Sequence, residues 1–153
     1  MNKKKTFITL GLLFSAGLVI IIYIFFQPHR DVQNTNTDFS LNSSEIVLEY
    51  LADANKANDT YLDEEGESKV LEVKGIISDI SEDFNKQKVV LLKSETDQAG
   101  VQCTFTIESG NQVESLRIGD EVIIKGEIES GASYDEDLEM YENVIMGNCA
   151  LLK

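Results

Sequence analysis

The sequence predicts a mainly β fold: a small five-stranded barrel preceded by one amphipathic helix, behind a single N-terminal segment apolar enough to span a bilayer. Three observations lead there. Residues 6–26 (TFITLGLLFSAGLVIIIYIFF) carry no charge. From residue 70 onward, short β-branched runs alternate with turns rich in Gly, Asn and Asp, the pattern of a small all-β domain. Between the two parts, apolar residues recur at helical spacing.

The apolar segment has the dimensions of a membrane helix. At about 1.5 Å per residue it spans roughly 30 Å, the hydrocarbon thickness of a bilayer. Lys3, Lys4 and Lys5 precede it, and basic residues stay on the cytoplasmic side. The small cluster Ser15-Ala16-Gly17 lies inside the apolar run, with more apolar and aromatic residues after it, whereas a cleavage site would follow a shorter run. No Cys follows Ala16-Gly17, so nothing there supports a lipoprotein anchor. Tyr23, Phe25 and Phe26 suit an interfacial aromatic belt.

The expected organisation follows from this. Residues 1–5 form a basic cytoplasmic N-terminus, and residues 6–26 an uncleaved signal anchor crossing the lipid bilayer of the cell membrane once. Residues 27–41 form a polar linker, and residues 42–153 the barrel domain with its N-terminal helix, on the periplasmic or extracellular side.

Charge divides at the same place. All 27 acidic residues lie after Arg30, together with nine of the 13 basic ones, leaving the exported part at −18. Nucleic-acid affinity comes largely from Lys and Arg displacing counterions, so nucleic acid is a disfavoured partner. Anionic headgroups should be avoided for the same reason. The charge serves either solubility or an acidic docking surface.

Within residues 27–41 (QPHRDVQNTNTDFSL) the composition is that of a coil, and the lone His29 has no companion for a metal or catalytic pair. Asn42, with Glu45 three residues on, reads as a helix N-cap. Ile46, Val47, Tyr50, Leu51 and Ala54 then make one apolar stripe, and the helix ends near Asp59. Residues 70–80 read as a strand that changes face, with Gly75 permitting a bulge. Residues 89–92 are a second strand. Val101, Cys103, Phe105 and Ile107 alternate with Gln102, Thr104, Thr106 and Glu108, so one face should be buried and the other wet. Val122, Ile124 and Ile128 form a fourth strand around Gly126. Residues 144–152 form a fifth, whose inward parity the pattern leaves ambiguous.

Several of these motifs together resemble the tRNA_anti-like family of bacterial OB-fold domains. They are Val73-x-Gly75-x-Ile77-x-x-Ile80, Val101-x-Cys103-x-Phe105, Leu116-x-x-Gly119-Asp120-x-Val122-x-Ile124-x-Gly126 and Asn148-Cys149-x-Leu151. The resemblance runs from the helix near Asn42 to the C-terminus. It implies an OB-fold in which the third strand lies beside the fifth, and it carries no catalytic residues. That adjacency implies a candidate disulfide between Cys103 and Cys149, the two cysteines of the chain. Export would favour the bridge, worth about 4 kcal/mol in the chain-entropy model. The other reading is two buried free thiols in the core.

The residues argue against taking the family name literally. A single-strand binder needs basic residues and stacking rings on the sheet, and the wet side of the third strand offers Gln102, Thr104, Thr106 and Glu108. The aromatics outside the expected core are Phe84, after the first strand, and Tyr134 and Tyr141, before the last. OB-folds grip oligonucleotides and oligosaccharides through those two loops. The candidate ligand face is therefore Phe84, Gln102, Thr104, Thr106 and Tyr134, although the rings would also serve as caps on the barrel ends. With no His after Asp31, no Cys/His metal set and no Gly-rich phosphate loop, neither catalysis nor a cofactor is expected. The acidic run 134–142 lacks the EF-hand spacing. The expected function is a non-enzymatic, membrane-tethered binding or scaffold module for a protein, peptide or glycan, with a nucleic-acid-binding OB-fold as the alternative.

Overall fold

A computed structural model describes residues 17–20, 31–63 and 68–152. The chain separates into two units, residues 1–30 and 31–153. In the first, residues 17–20 are helical. The rest of the expected anchor, residues 6–26, lies outside the described residues, among which no helix is long and apolar enough to cross a membrane.

The second unit holds strand β1 (Phe39–Asn42), helices α1 (Ser43–Ala52) and α2 (Ala54–Tyr61), and strands β2 (Val70–Glu82), β3 (Lys88–Leu92) and β4 (Val101–Phe105). A 3-10 turn (Gly110–Ser115) follows, then β5 (Glu121–Ser130), the short pair β6 (Ser133–Asp135) and β7 (Met140–Glu142), and β8 (Val144–Leu151). The sheet order is β1-β2-β3-β4-β8-β5, and β5 pairs back onto β2. Five strands thus close into a barrel, with β4 and β8 parallel and the other barrel pairs antiparallel. Full closure leaves the barrel strands no open edge.

Strand β2 is long because it serves two neighbours. Val70–Ile76 pair with β5, whereas Ile77 and Asp79–Glu82 pair with β3. The change of face falls at a register shift between Ile77 and Asp79, not at Gly75. Gly75 answers a different need, since a Cβ there would lie 2.7 Å from Ser43 Oγ and 3.0 Å from Leu92 Cβ. The missing side chain lets the start of α1 sit directly on the barrel.

The helical region departs from the single helix expected. Glu45 accepts the Asn42 backbone N–H at 3.3 Å, as the capping pattern requires. At Asp53 the helix breaks, because that carboxylate accepts the Lys56 N–H at 3.1 Å and starts α2. Ile46, Val47 and Tyr50 are buried as expected, but Ala54 is exposed and the stripe resumes at Ala57 and Tyr61. The polar stretch read as a tether is also folded from Asp31 onward. Val32 is buried, and β1 pairs in parallel with β2. Lys125, itself buried, donates from Nζ to the carbonyls of Gln33 (3.3 Å) and Thr35 (2.5 Å). Those two bonds hold the entering chain against β5.

Strand β4 buries Val101, Cys103 and Phe105 on one parity, as the alternation predicts. The alternation stops there, and Ile107 is 82% exposed rather than buried. Thr106 and Ser109 end the strand by a hydroxyl turn, with Ser109 Oγ accepting the Thr106 N–H at 3.0 Å and donating to the Cys149 carbonyl at 2.6 Å. The ambiguous parity of β8 has a structural cause. Its register slips against both neighbours around Gly147 and Asn148, and Asn148 takes φ 50°. Val144 and Met146 therefore point inward on one parity and Cys149 on the other.

Gly126 is a tight point of barrel closure, where a Cβ would stand 2.6 Å from Cys149 Sγ and 2.9 Å from the Gly147 carbonyl. Overpacking a closed core costs about 1–3 kcal/mol. Gly126→Ala should lower stability by about that amount in a denaturation experiment; an unchanged midpoint would show that β5 and β8 are not packed as described.

Candidate ligand-binding face

The outward positions of adjoining strands compose the candidate face. Leu91 and Val89 of β3 stand opposite Gln102 and Thr104 of β4. Asp79 and Ser81 of β2 flank the first pair, and Ile145 of β8 lies beside Gln102. None of these seven residues is basic. Val89 is itself buried, while Gln102, Thr104, Leu91 and Ile145 are half-buried, so the surface mixes short polar groups with apolar ones. Such a surface can hydrogen-bond and pack against an extended neutral chain.

Of the five expected face residues, the structure sets Gln102 and Thr104 side by side and moves Thr106 aside. The Thr106 hydroxyl lies 2.9 Å from Ser109 Oγ and accepts the Ser109 N–H at 3.1 Å, so the turn has taken it up. Phe84 stands at the tip of the β2–β3 turn. Asp83 Oδ1 holds that turn by accepting the N–H groups of Asn85 and Gln87, both at 2.8 Å. The ring is fully exposed, at 108% of its reference area, and does not fold back over the barrel. Tyr134, on β6, is 49% exposed, with its ring 4.8 Å from that of Tyr141 across the hairpin.

Phe84 and Tyr134 lie toward opposite ends of β4. The turn bearing Phe84 reaches the end of β4, where Gln87 Nε2 donates to the Phe105 carbonyl at 3.2 Å. The β6–β7 hairpin instead runs into Val144, beside Val101 at the start of that strand. Five residues of strand separate the two ends, roughly 16 Å. A ligand touching both rings would therefore lie along β4.

The electrostatics follow from local partners. Lys74 pairs with Glu121 at 3.1 Å and Lys88 with Glu82 at 2.7 Å, which holds the Glu82 carboxyl below the usual range. Partial burial, with Glu127 nearby, raises the Glu129 carboxyl. In the acidic run, Asp135 Oδ1 accepts the N–H groups of Asp137 (2.8 Å) and Leu138 (2.9 Å), so this carboxylate shapes the hairpin loop. Cys103 and Cys149 are both fully buried free thiols on adjoining strands. Burial, and then the Cys103 thiol beside it, pushes the Cys149 thiol well up. That thiol stays protonated and is a poor nucleophile. Tyr50 reads in the sequence only as part of a core stripe, although among the described residues its hydroxyl is buried without a partner. Periodicity reports that a residue is buried and is silent about its polar atom.

A closed five-stranded barrel with β4 and β8 parallel defines an OB-fold domain. The tRNA_anti-like family model matches residues 2–137, and the chain belongs to that family. The match begins ahead of the expected span, taking in the apolar segment, and ends before β8, leaving the Asn148-Cys149 motif outside it. Among solved structures, the chain is similar to a lipoprotein of Klebsiella pneumoniae subsp. pneumoniae named for a proposed nucleic-acid-binding role. The two are 19% identical over 83% of this chain and 100% of that one, with a TM-score of 0.54. That likeness is one of fold. No curated protein matches the sequence.

Proposed function

We propose that the protein is a non-enzymatic binding module of OB-fold type, tethered to the cell membrane by residues 6–26 and presenting its barrel on the exported side to a protein, peptide or glycan. The observation that carries this reading is the β3–β4 face, where the seven outward residues include Gln102 and Thr104 but no Lys or Arg. The domain around that face holds an excess of 18 negative charges. A polyanion meets repulsion there, while a neutral or basic chain does not. The tether rests on the uncharged run of residues 6–26 behind three lysines. The absence of His after Asp31 supports a role without acid–base catalysis.

The second reading is a nucleic-acid binder. It is favoured by the name of the Klebsiella lipoprotein, with which this chain shares its fold. The two readings separate on which substitutions matter. In intact cells, cross-linking should capture a partner with the wild-type chain. Thr104→Arg, which puts a long cation on the face, and Phe84→Ala, which removes an exposed ring, should weaken that capture. Phe84→Ala should not move the melting temperature, since exposed substitutions usually stay within about 0.5 kcal/mol. Capture unchanged in both variants would rule out this face.

The export side has its own test. In an oxidising compartment we expect Cys103 and Cys149, before the barrel closes over them, to pass two electrons and two protons to a disulfide oxidant and form one S–S bond. Protein taken from native membranes, unfolded and alkylated without reduction, should carry no label by mass spectrometry, and two labels after reduction. Two labels without reduction would contradict the bridge.

A further inference from the structure

A second recess lies between α1 and the β6–β7 hairpin and shares Tyr134 with the candidate face. It is an open cavity of about 410 Å3, lined among others by Tyr50 and Leu51 of α1, Gln98 of the β3–β4 loop, and Ser133, Tyr134 and Tyr141. Its volume falls within the ~300–1,000 Å3 typical of ligand pockets. Tyr134 and Tyr141 form one wall as a tilted ring pair. Gln98 Nε2 donates to the Tyr141 hydroxyl at 2.9 Å, which leaves that hydroxyl its own proton to donate. At the base, Gly131 brings the start of the hairpin directly over the Tyr50 ring, where any Cβ would overlap the ring carbons.

Tyr50 is 2% exposed, and among the described residues its hydroxyl is a buried side-chain polar atom with no hydrogen-bond partner. Such a group costs about 1–3 kcal/mol if nothing ever satisfies it, and buried polar atoms in folded proteins are otherwise paired. Burial pushes its pKa up to about 12, so near neutral pH it remains a donor. None of the cavity's lining residues is charged. The recess thus offers ring faces, an amide and neutral hydroxyls, and no group to hold an ion.

We propose that this cavity binds a neutral pyranose ring of an oligosaccharide, stacked on Tyr134 and hydrogen-bonded through the Tyr134 and Tyr141 hydroxyls and Gln98. Rings of this kind present an apolar face edged with hydroxyl groups, which aromatic walls with polar tips complement. A phosphate or carboxylate finds no cation there, and a cationic group finds no carboxylate in the lining. The assignment rests on the reading of the domain as an exported binding module and narrows one of its ligand classes.

The test uses the full chain in detergent and chitotetraose as the probe. The chain has five Tyr and no Trp, and three of those tyrosines line the cavity, so intrinsic tyrosine fluorescence reports occupancy directly. The expected result is a saturable change in emission. Tyr134→Ala should abolish it. Tyr141→Phe should weaken binding about tenfold, the value of one hydrogen bond. No saturable change with the sugar would overturn the proposal, as would equal affinity in Tyr134→Ala and wild type, or binding of a proline-rich peptide in place of the sugar. If the sugar fails while cross-linked capture still depends on Thr104, this inference alone falls. If both fail, the binding-module reading falls with it.

Discussion

Closure of the barrel through β5 is the constraint on which the rest of the domain depends. That strand must pair with β2 along one edge and with β8 along the other. The approach to β8 is so close at Gly126 that only a bare Cα fits against Cys149 and the Gly147 carbonyl. Once β5 is in place, Leu71, Val73, Ile124 and Cys149 face one interior, and the hydrophobic gain of burying them is realised together. The slip in β8 around Asn148 and the shift in β2 after Ile77 are what bending a flat sheet into a closed one demands. Lys125 extends the same logic outward. Its ammonium cannot be left bare in a buried site, and the carbonyls of Gln33 and Thr35 that satisfy it fasten the chain's entry to β5.

Much of this was legible in the sequence, and the misses have specific causes. The alternation through Val101, Cys103 and Phe105 was visible because one face of β4 is core and the other is wet. The capping pair at Asn42 and Glu45 was visible because it is local. What escaped depends on contacts between distant segments or on single side-chain bonds. Strand β1 exists by pairing with β2, some thirty positions away in sequence, and its four residues hold too short a pattern to announce it. The hydroxyl turn at Thr106 and Ser109 ends β4 before Ile107, so an alternation that continues in sequence stops in space. The break at Asp53 was a missed cap, because an Asp inside an amphipathic pattern can also be a solvated helix position.

The candidate site shows the same division. Phe84 and Tyr134 could be placed on loops from their sequence surroundings, and both prove exposed. That they lie toward opposite ends of β4, and that Tyr134 is joined by Tyr141 and backed by Tyr50, follows only from the topology. Composition had more to say about charge than about shape. Lys74 and Lys88 are held in ion pairs, and Lys125 is buried against carbonyls. The domain thus pairs an OB-fold with a net charge of −18 after Arg30.

Direct titration with nucleic acid tests this account most sharply. Fluorescence polarisation of labelled single-stranded DNA and RNA against the full chain should be read at low ionic strength, where electrostatic attraction and repulsion are both greatest. No saturable binding to either is expected. Tight binding that weakens steeply as salt is added would contradict it and restore the nucleic-acid reading.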